Sequence, residues 1–160
     1  MMEFKSLNDK NLVSEVFKKL KDNKITIALA ESMTGGMISS ILVGYEGASE
    51  VLKGSVVCYT LEVKHNVLNV SEKTLNTYSA VSKETLKEML DGVESLIEPQ
   101  ISLAVTGYAD GPIDKGTGFI GVKFNNDYTI KAFSFQNMTR NEVRYEASIF
   151  AFKLLLEVLK

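Results

Sequence analysis

Cysteine, histidine and arginine are nearly missing from this chain, and each shortage narrows what it can be. Cys58 is the single cysteine, so no disulfide forms within the chain, and a reducing compartment fits better than secretion. His65 is the single histidine; a metal centre built on it needs carboxylates at ligand spacing, none is apparent, and neither metal nor cofactor is expected. Of 18 basic residues only Arg140 and Arg144 are arginines, and with a net charge of −2 a basic groove for nucleic acid is not indicated. No run approaches the ~20 apolar residues of a membrane span. The N-terminal Met1-Met2-Glu3-Phe4-Lys5 leads into a polar stretch without the apolar core of a signal peptide. Repeats, linkers and low-complexity tracts are absent as well. The expectation is a cytoplasmic protein that binds neither nucleic acid nor membrane.

What is present reads as one ordered domain over residues 1–160, with 45% hydrophobic and 24% charged residues. Leu12, Val13, Val16, Phe17 and Leu20 recur at helical spacing, which predicts a helix over 8–22 with Asn8 as a candidate cap. Ile25 to Ala30 is a short apolar run of the buried-strand type. A small-residue helix is expected from Met37 to Val43, a second strand over Ser55–Thr60, and short helices over 62–68 and 72–78. Ser82 caps a helix that ends before Pro99. Ile101–Val105 is a third buried strand. Phe119–Phe124 and Thr129–Phe135 flank Asn125-Asn126-Asp127 as a hairpin, and a long helix runs from Arg140 to Leu159. Strands separated by helices, then a hairpin, predict an α/β fold: a three-layer αβα domain with a mixed, mostly parallel central sheet, a C-terminal hairpin and a long final helix.

The turn Glu31-Ser32-Met33-Thr34-Gly35-Gly36 lies at the carboxyl end of the first strand, where open α/β sheets gather ligands. Its glycines allow close approach of a ligand, and the helix behind it offers N–H groups. Ser32 sits where a hydroxyl attacks a carbonyl. On the residues alone, Ser32 and Thr34 serve equally as helix caps, the more ordinary role.

The segment Ala30-Glu31-Ser32-Met33-Thr34-Gly35-Gly36 resembles the A-E-S-C-T-G-G signature of the CinA C-terminal domain family, the nicotinamide mononucleotide deamidases. Further segments follow in register. Gly54 to Lys64 is similar to that family's G-x-V-x-Y-S-N-x-x-K, Tyr78-Ser79-Ala80-Val81-Ser82 to its H-G-A-V-S, and Ala104-Val105-Thr106-Gly107 to its strand ending in T-G. Arg140-Asn141-Glu142-Val143-Arg144 matches its paired arginines. The resemblance implies hydrolysis of the carboxamide of nicotinamide mononucleotide to nicotinate mononucleotide and ammonia. It implies Ser32 as nucleophile, Lys64 as its base and Tyr59 in the same hydrogen-bonded set. Thr34, Gly35, Gly36, Thr106, Gly107, Arg140 and Arg144 become the expected substrate-binding residues. Arg140 and Arg144, one helical turn apart, share a face suited to oxyanions; the ordinary alternative pairs them with Glu142 or Glu146.

Three departures from the family pattern stand out. Met33 replaces the cysteine beside the nucleophile, Leu61 replaces an asparagine, and the glycine- and proline-rich loop is shortened to residues 107–118, with Asp110 bringing a negative charge. Two functions of different class follow: an amidase acting on a pyridine nucleotide, or a divergent member that binds a nucleotide or protein partner without turnover. A homo-oligomer through the hairpin edge or last helix stays open, and the chain reads as a stand-alone version of the family.

Overall fold

Side-chain size alternates along the central strands and decides how the layers stack. In β1 (Ile27–Glu31) and β3 (Ile101–Gly107), Ile27, Leu29, Ile101, Leu103 and Val105 face one side, while Ala28, Ala30 and Ala104 face the other. Period-two alternation with both faces apolar is what a strand covered on two sides requires. The structure, a computed structural model, describes residues 4–112 and 114–160. Met1, Met2 and Glu3 of the N-terminal stretch and Ile113 of the 107–118 loop lie outside the described residues.

The large-residue face is covered by α1 (Leu7–Asp22), α2 (Met37–Val43) and α6 (Arg140–Val158), which contribute Val16, Leu20, Ile38, Leu42, Phe152 and Leu155. The alanine face receives α5 (Lys83–Ile97) through Leu86, Met89, Leu90 and Val93, with α3 (Leu61–Leu68) entering through Leu68. α4 (Glu72–Tyr78) lies beside α5 on that side. The sheet order is β2-β1-β3-β4-β5, with β2 spanning Leu52–Val57, β4 Thr117–Phe124 and β5 Asp127–Ser134. β1 runs parallel to β2 and β3, whereas β4 is antiparallel to β3 and β5. The expected three-layer αβα architecture with a mixed sheet, hairpin and closing helix is the one observed.

Several boundaries differ from the expectation for local reasons. Ser6, not Asn8, caps α1, its Oγ accepting the Asp9 N–H at 3.1 Å. β2 begins at Leu52, opposite Ile27, and Cys58–Thr60 lie beyond it, because the Thr60 hydroxyl caps α3 by accepting the Val63 N–H at 3.2 Å. The hairpin turns on Asn125 and Asn126 alone, both with positive φ (52° and 66°), and Asp127 pairs with Phe124 inside the ladder. Asparagine tolerates that left-handed backbone better than most residues, which suits a two-residue turn.

The connection leaving β1 passes through α2 on one face, and the connection leaving β2 passes through α3 to α5 on the other. The carboxyl edge of the parallel strands is therefore a topological switch point, where chain departs in both directions and leaves a crevice. No helix among the described residues is long and apolar enough to cross a membrane.

Candidate active site

Three strand ends meet at that crevice. The end of β1 supplies Ser32 and Met33, the segment after β2 supplies Tyr59 and Lys64, and the end of β3 supplies Thr106 and Gly107. Ala80, Val81, Tyr108, Ala109, Asp110 and Arg140 complete the wall around a cavity of about 220 Å³. That volume is below the 300–1,000 Å³ typical of pockets enclosing a whole drug-sized ligand. It suits one ring and its substituent, with the remainder of a ligand lying outside.

Lys64 is only 1% exposed, and its Nζ donates to Ser32 Oγ at 2.9 Å and to the Cys58 carbonyl at 2.7 Å. No carboxylate pairs with it among the described residues. Burial disfavours the charged ammonium and holds the Lys64 pKa below its ordinary 10.5. A buried lysine without a counter-ion, aimed at a serine hydroxyl, is the arrangement a neutral-amine base requires. The Cys58 thiol is buried beside them, and desolvation pushes its pKa up to about 11, so it stays an un-ionised packing group.

The turn around Ser32 is organised by Glu31, a residue to which sequence reasoning gave no role. Its fully buried carboxylate accepts five hydrogen bonds, from the Thr34 hydroxyl, the Gly36 and Ile38 N–H groups, and the Ser39 N–H and hydroxyl. The start of α2 is thus filled from within the protein, and its N–H groups are not offered to a ligand as expected. Ser32 is not the cap either. The N-cap position falls on Gly36, whose φ of 89° is a left-handed conformation that glycine adopts without strain. An acid preceding a helix start by a few residues was the available signal, since carboxylates are favoured there. Within the turn, Ser32 N–H donates to the Val105 carbonyl and Gly35 N–H to the Ser32 carbonyl. The N–H groups of Met33 and Thr34 find no acceptor among the described residues.

The other expected site residues divide into two groups. Thr106 and Gly107 line the cavity, and the fully buried Thr106 hydroxyl donates to the Ala80 carbonyl at 2.7 Å, tying the 79–82 segment to the end of β3. Arg140 also lines it, and its Nη2 donates to the Tyr59 hydroxyl at 2.6 Å. Tyr59 therefore belongs to the cavity rim and contacts Arg140, not the Ser32–Lys64 pair. Thr34, Gly35, Gly36 and Arg144 lie outside the cavity lining. Arg144 donates to the Thr34 carbonyl at 2.9 Å and to Asn141 Oδ1 at 3.0 Å, bracing the back of the turn. The two arginines make separate contacts, Arg140 at the cavity and Arg144 behind the turn, and among the described residues neither pairs with the neighbouring acids: Glu142 closes a capping box with Thr139, and Glu146 meets Lys5. Of the departures, Met33 is buried in the cavity wall, while Leu61 faces a separate groove between α3 and α4. His65 places Nδ1 against the Val70 carbonyl, and among the described residues no cluster of His, Cys, Asp or Glu is arranged to hold a metal ion.

Chemically the cavity offers a hydroxyl next to a proton acceptor, the Met33 backbone with its free N–H in the wall, and one arginine at the rim. These are the parts of a serine acyl-transfer site. Residues 9–159 match the family model of the CinA C-terminal domain. A CinA-like protein of Thermotoga neapolitana is 39% identical over 96% of this chain, which spans 38% of that relative's length. Among solved structures, a CinA superfamily protein from Klebsiella pneumoniae superposes with a TM-score of 0.90 at 30% identity, covering 95% of this chain and 98% of the other. A competence/damage-inducible protein from Agrobacterium tumefaciens gives 0.92 at 26% identity, covering 99% of this chain and all of the other. The chain belongs to the CinA C-terminal domain family.

Proposed function

We propose that the chain is a serine amidohydrolase that releases ammonia from the carboxamide of nicotinamide mononucleotide. The observation that carries this reading is the 2.9 Å contact from the buried Lys64 amine to the Ser32 hydroxyl, with no acid beside it. Neutral Lys64 takes the hydroxyl proton as Ser32 Oγ attacks the carboxamide carbon. The resulting oxyanion is assigned to the Met33 N–H in the cavity wall, a donor type worth about 10²–10³ in rate. Lys64 then passes its proton to the departing nitrogen, the C–N bond breaks, and ammonia leaves an acyl ester on Ser32. Water attacks that ester, Lys64 accepts the water proton and returns it to Ser32 Oγ, and nicotinate mononucleotide is released. In this reading the pyridine ring occupies the cavity and the phosphate lies at its rim beside Arg140. Tyr59 orients that arginine.

One observation counts against this nucleotide as substrate and keeps a second reading in view, a divergent member that binds a protein partner or a nucleotide without turnover. Asp110 lines the same cavity as Arg140, where its negative charge opposes a phosphate. Its carboxylate is partly engaged, accepting the Gly111 N–H at 2.9 Å with Lys115 at 3.9 Å. Ammonia release from nicotinamide mononucleotide separates the two. Turnover by the native chain that collapses in both Ser32→Ala and Lys64→Ala is the expected outcome. A folded native chain that gains thermal stability with the nucleotide but releases no ammonia selects the second reading.

A further inference from the structure

Between the nucleophile and its base runs a continuous set of hydrogen bonds that begins at the residue before Ser32. The Glu31 carbonyl accepts the Cys58 N–H at 2.9 Å, and the Cys58 carbonyl in turn accepts Lys64 Nζ at 2.7 Å. On the other side, the Glu31 carboxylate fixes Thr34, Gly36, Ile38 and Ser39 through its five hydrogen bonds. Both oxygens are used: Oε2 accepts at 2.7, 3.1 and 3.1 Å, and Oε1 at 2.8 and 2.9 Å. From these contacts we infer that Glu31 is a positioning residue for the nucleophile turn, holding the Met33 N–H where an oxyanion forms beside Ser32. This inference rests on the serine-nucleophile reading above.

The physical case lies in what the carboxylate withdraws from the site. An acceptor of five donors occupies the start of α2, so neither a substrate anion nor water competes for those N–H groups. Once Gly36, Ile38 and Ser39 are committed, the N–H groups of Met33 and Thr34 are left without an acceptor among the described residues, and of the two residues Met33 lines the cavity. Arg144 on α6 donates to the Thr34 carbonyl at 2.9 Å, so the Thr34–Gly35 peptide that closes the turn is braced as well. Preorganised donors act by not having to move when charge develops, and a misplacement of ~1 Å costs on the order of 10²-fold in rate.

The test is the rate of Ser32 phosphonylation by an alkyl fluorophosphonate, read by mass spectrometry on the folded chain. In that step the Ser32 Oγ–P bond forms, P–F breaks, fluoride leaves, and the hydroxyl proton goes to Lys64. Glu31→Gln puts an amide donor against existing donors, and the labelling rate is expected to fall at least tenfold. Ser39→Ala removes part of the network, keeps the carboxylate, and is expected to slow labelling two- to fivefold. Glu88→Gln is the structural control. Glu88 anchors the start of α4 through Ser71 and Thr74, away from the turn, so stability falls while labelling stays within about twofold. Where nicotinamide mononucleotide is turned over, Glu31→Gln lowers kcat and leaves KM within about threefold. Equal labelling of native chain, Glu31→Gln and Ser39→Ala overturns the inference while leaving the nucleophile in place. A native chain that Ser32→Ala shows to be unlabelled at Ser32 overturns the serine reading itself, and the inference with it.

Discussion

Lys64 Nζ sits 2.9 Å from Ser32 Oγ and 2.7 Å from the Cys58 carbonyl, sealed from solvent and without an acid partner. Its protonation state therefore governs both the chemistry and part of the stability. Protonated Lys64 cannot accept the serine proton, and its pKa is lowered by burial, so kcat should rise with pH to a plateau reached below 10.5. Lys64→Met, which keeps the length and removes the amine, should lower kcat by about 10²–10⁴-fold and abolish that rise. The same shift has a stability sign. Between the lowered folded pKa and the unfolded value of 10.5, the unfolded chain binds more protons at Lys64, so the native fold gains stability as pH rises. Denaturant unfolding of both proteins across that window checks it: the native-minus-variant difference should grow with pH. A flat difference would mean that Lys64 keeps an ordinary pKa.

Arg140 is the cation of the proposed phosphate position, held at the rim by the Tyr59 hydroxyl. Arg140→Ala should raise KM for nicotinamide mononucleotide about 10- to 100-fold, the scale of one charge-assisted hydrogen bond. kcat should stay within a few-fold. Nicotinamide riboside, which lacks the phosphate, should be indifferent to the change. Equal loss on both substrates would assign Arg140 to the fold of the rim and not to the phosphate.

How much of this was legible in the sequence depends on the kind of signal each residue leaves. The layers followed from apolar runs and helical spacing, as in Leu12 to Leu20 and Ile101 to Val105, because burial imprints a period. Ser32 was visible as a hydroxyl at a strand end. Lys64 was not: it lies 32 positions away on a helix, where a lysine ordinarily meets solvent, and only resemblance to a family paired it with Ser32. Glu31 was overlooked because its partners are backbone N–H groups, which carry no residue identity. Arg144 left a spacing signal, i,i+4 from Arg140, that does not tell where its guanidinium goes; in the structure it meets the Thr34 carbonyl outside the cavity lining. Leu61 looked like a change in the site, and the structure turns it toward a different groove.

Ser79 stands where the family pattern has glycine, and its backbone shows the consequence, with φ 72° and ψ 174°. That region is strained for any residue with a Cβ, at about 1–3 kcal/mol. The hydroxyl partly compensates by accepting the Val81 N–H at 3.3 Å. Ser79→Gly relieves the strain but adds about 0.5–1 kcal/mol of unfolded-state entropy. The net expectation is about 1 kcal/mol of added stability, read as a Tm increase of a few degrees. Activity should change little, since the Thr106 hydroxyl still ties Ala80 to β3. A lower Tm would show that the Ser79 hydroxyl outweighs the strain.

Gly92 lies in the middle of α5, where helix propensity alone argues for alanine by about 1 kcal/mol. Packing reverses that preference. A Cβ at Gly92 would lie 2.1 Å from the Leu68 carbonyl oxygen and 2.8 Å from its carbon, and both are backbone atoms that no rotamer change can clear. Overpacking of this kind costs about 1–3 kcal/mol or more, so Gly92→Ala should lower Tm despite its better propensity. The effect extends to the site because Leu68 ends the helix that carries Lys64, and the Lys64 carbonyl anchors the turn beyond it by accepting the Val70 N–H at 3.1 Å. Moving α3 off α5 displaces the Lys64 amine from Ser32 Oγ, and a shift approaching 1 Å is enough to cost up to ~10²-fold in rate. The expected result is a folded variant with reduced Tm and kcat at least tenfold lower, measured by ammonia release. A raised Tm with unchanged kcat would mean that α3 yields freely and that the α3–α5 contact does not place the base.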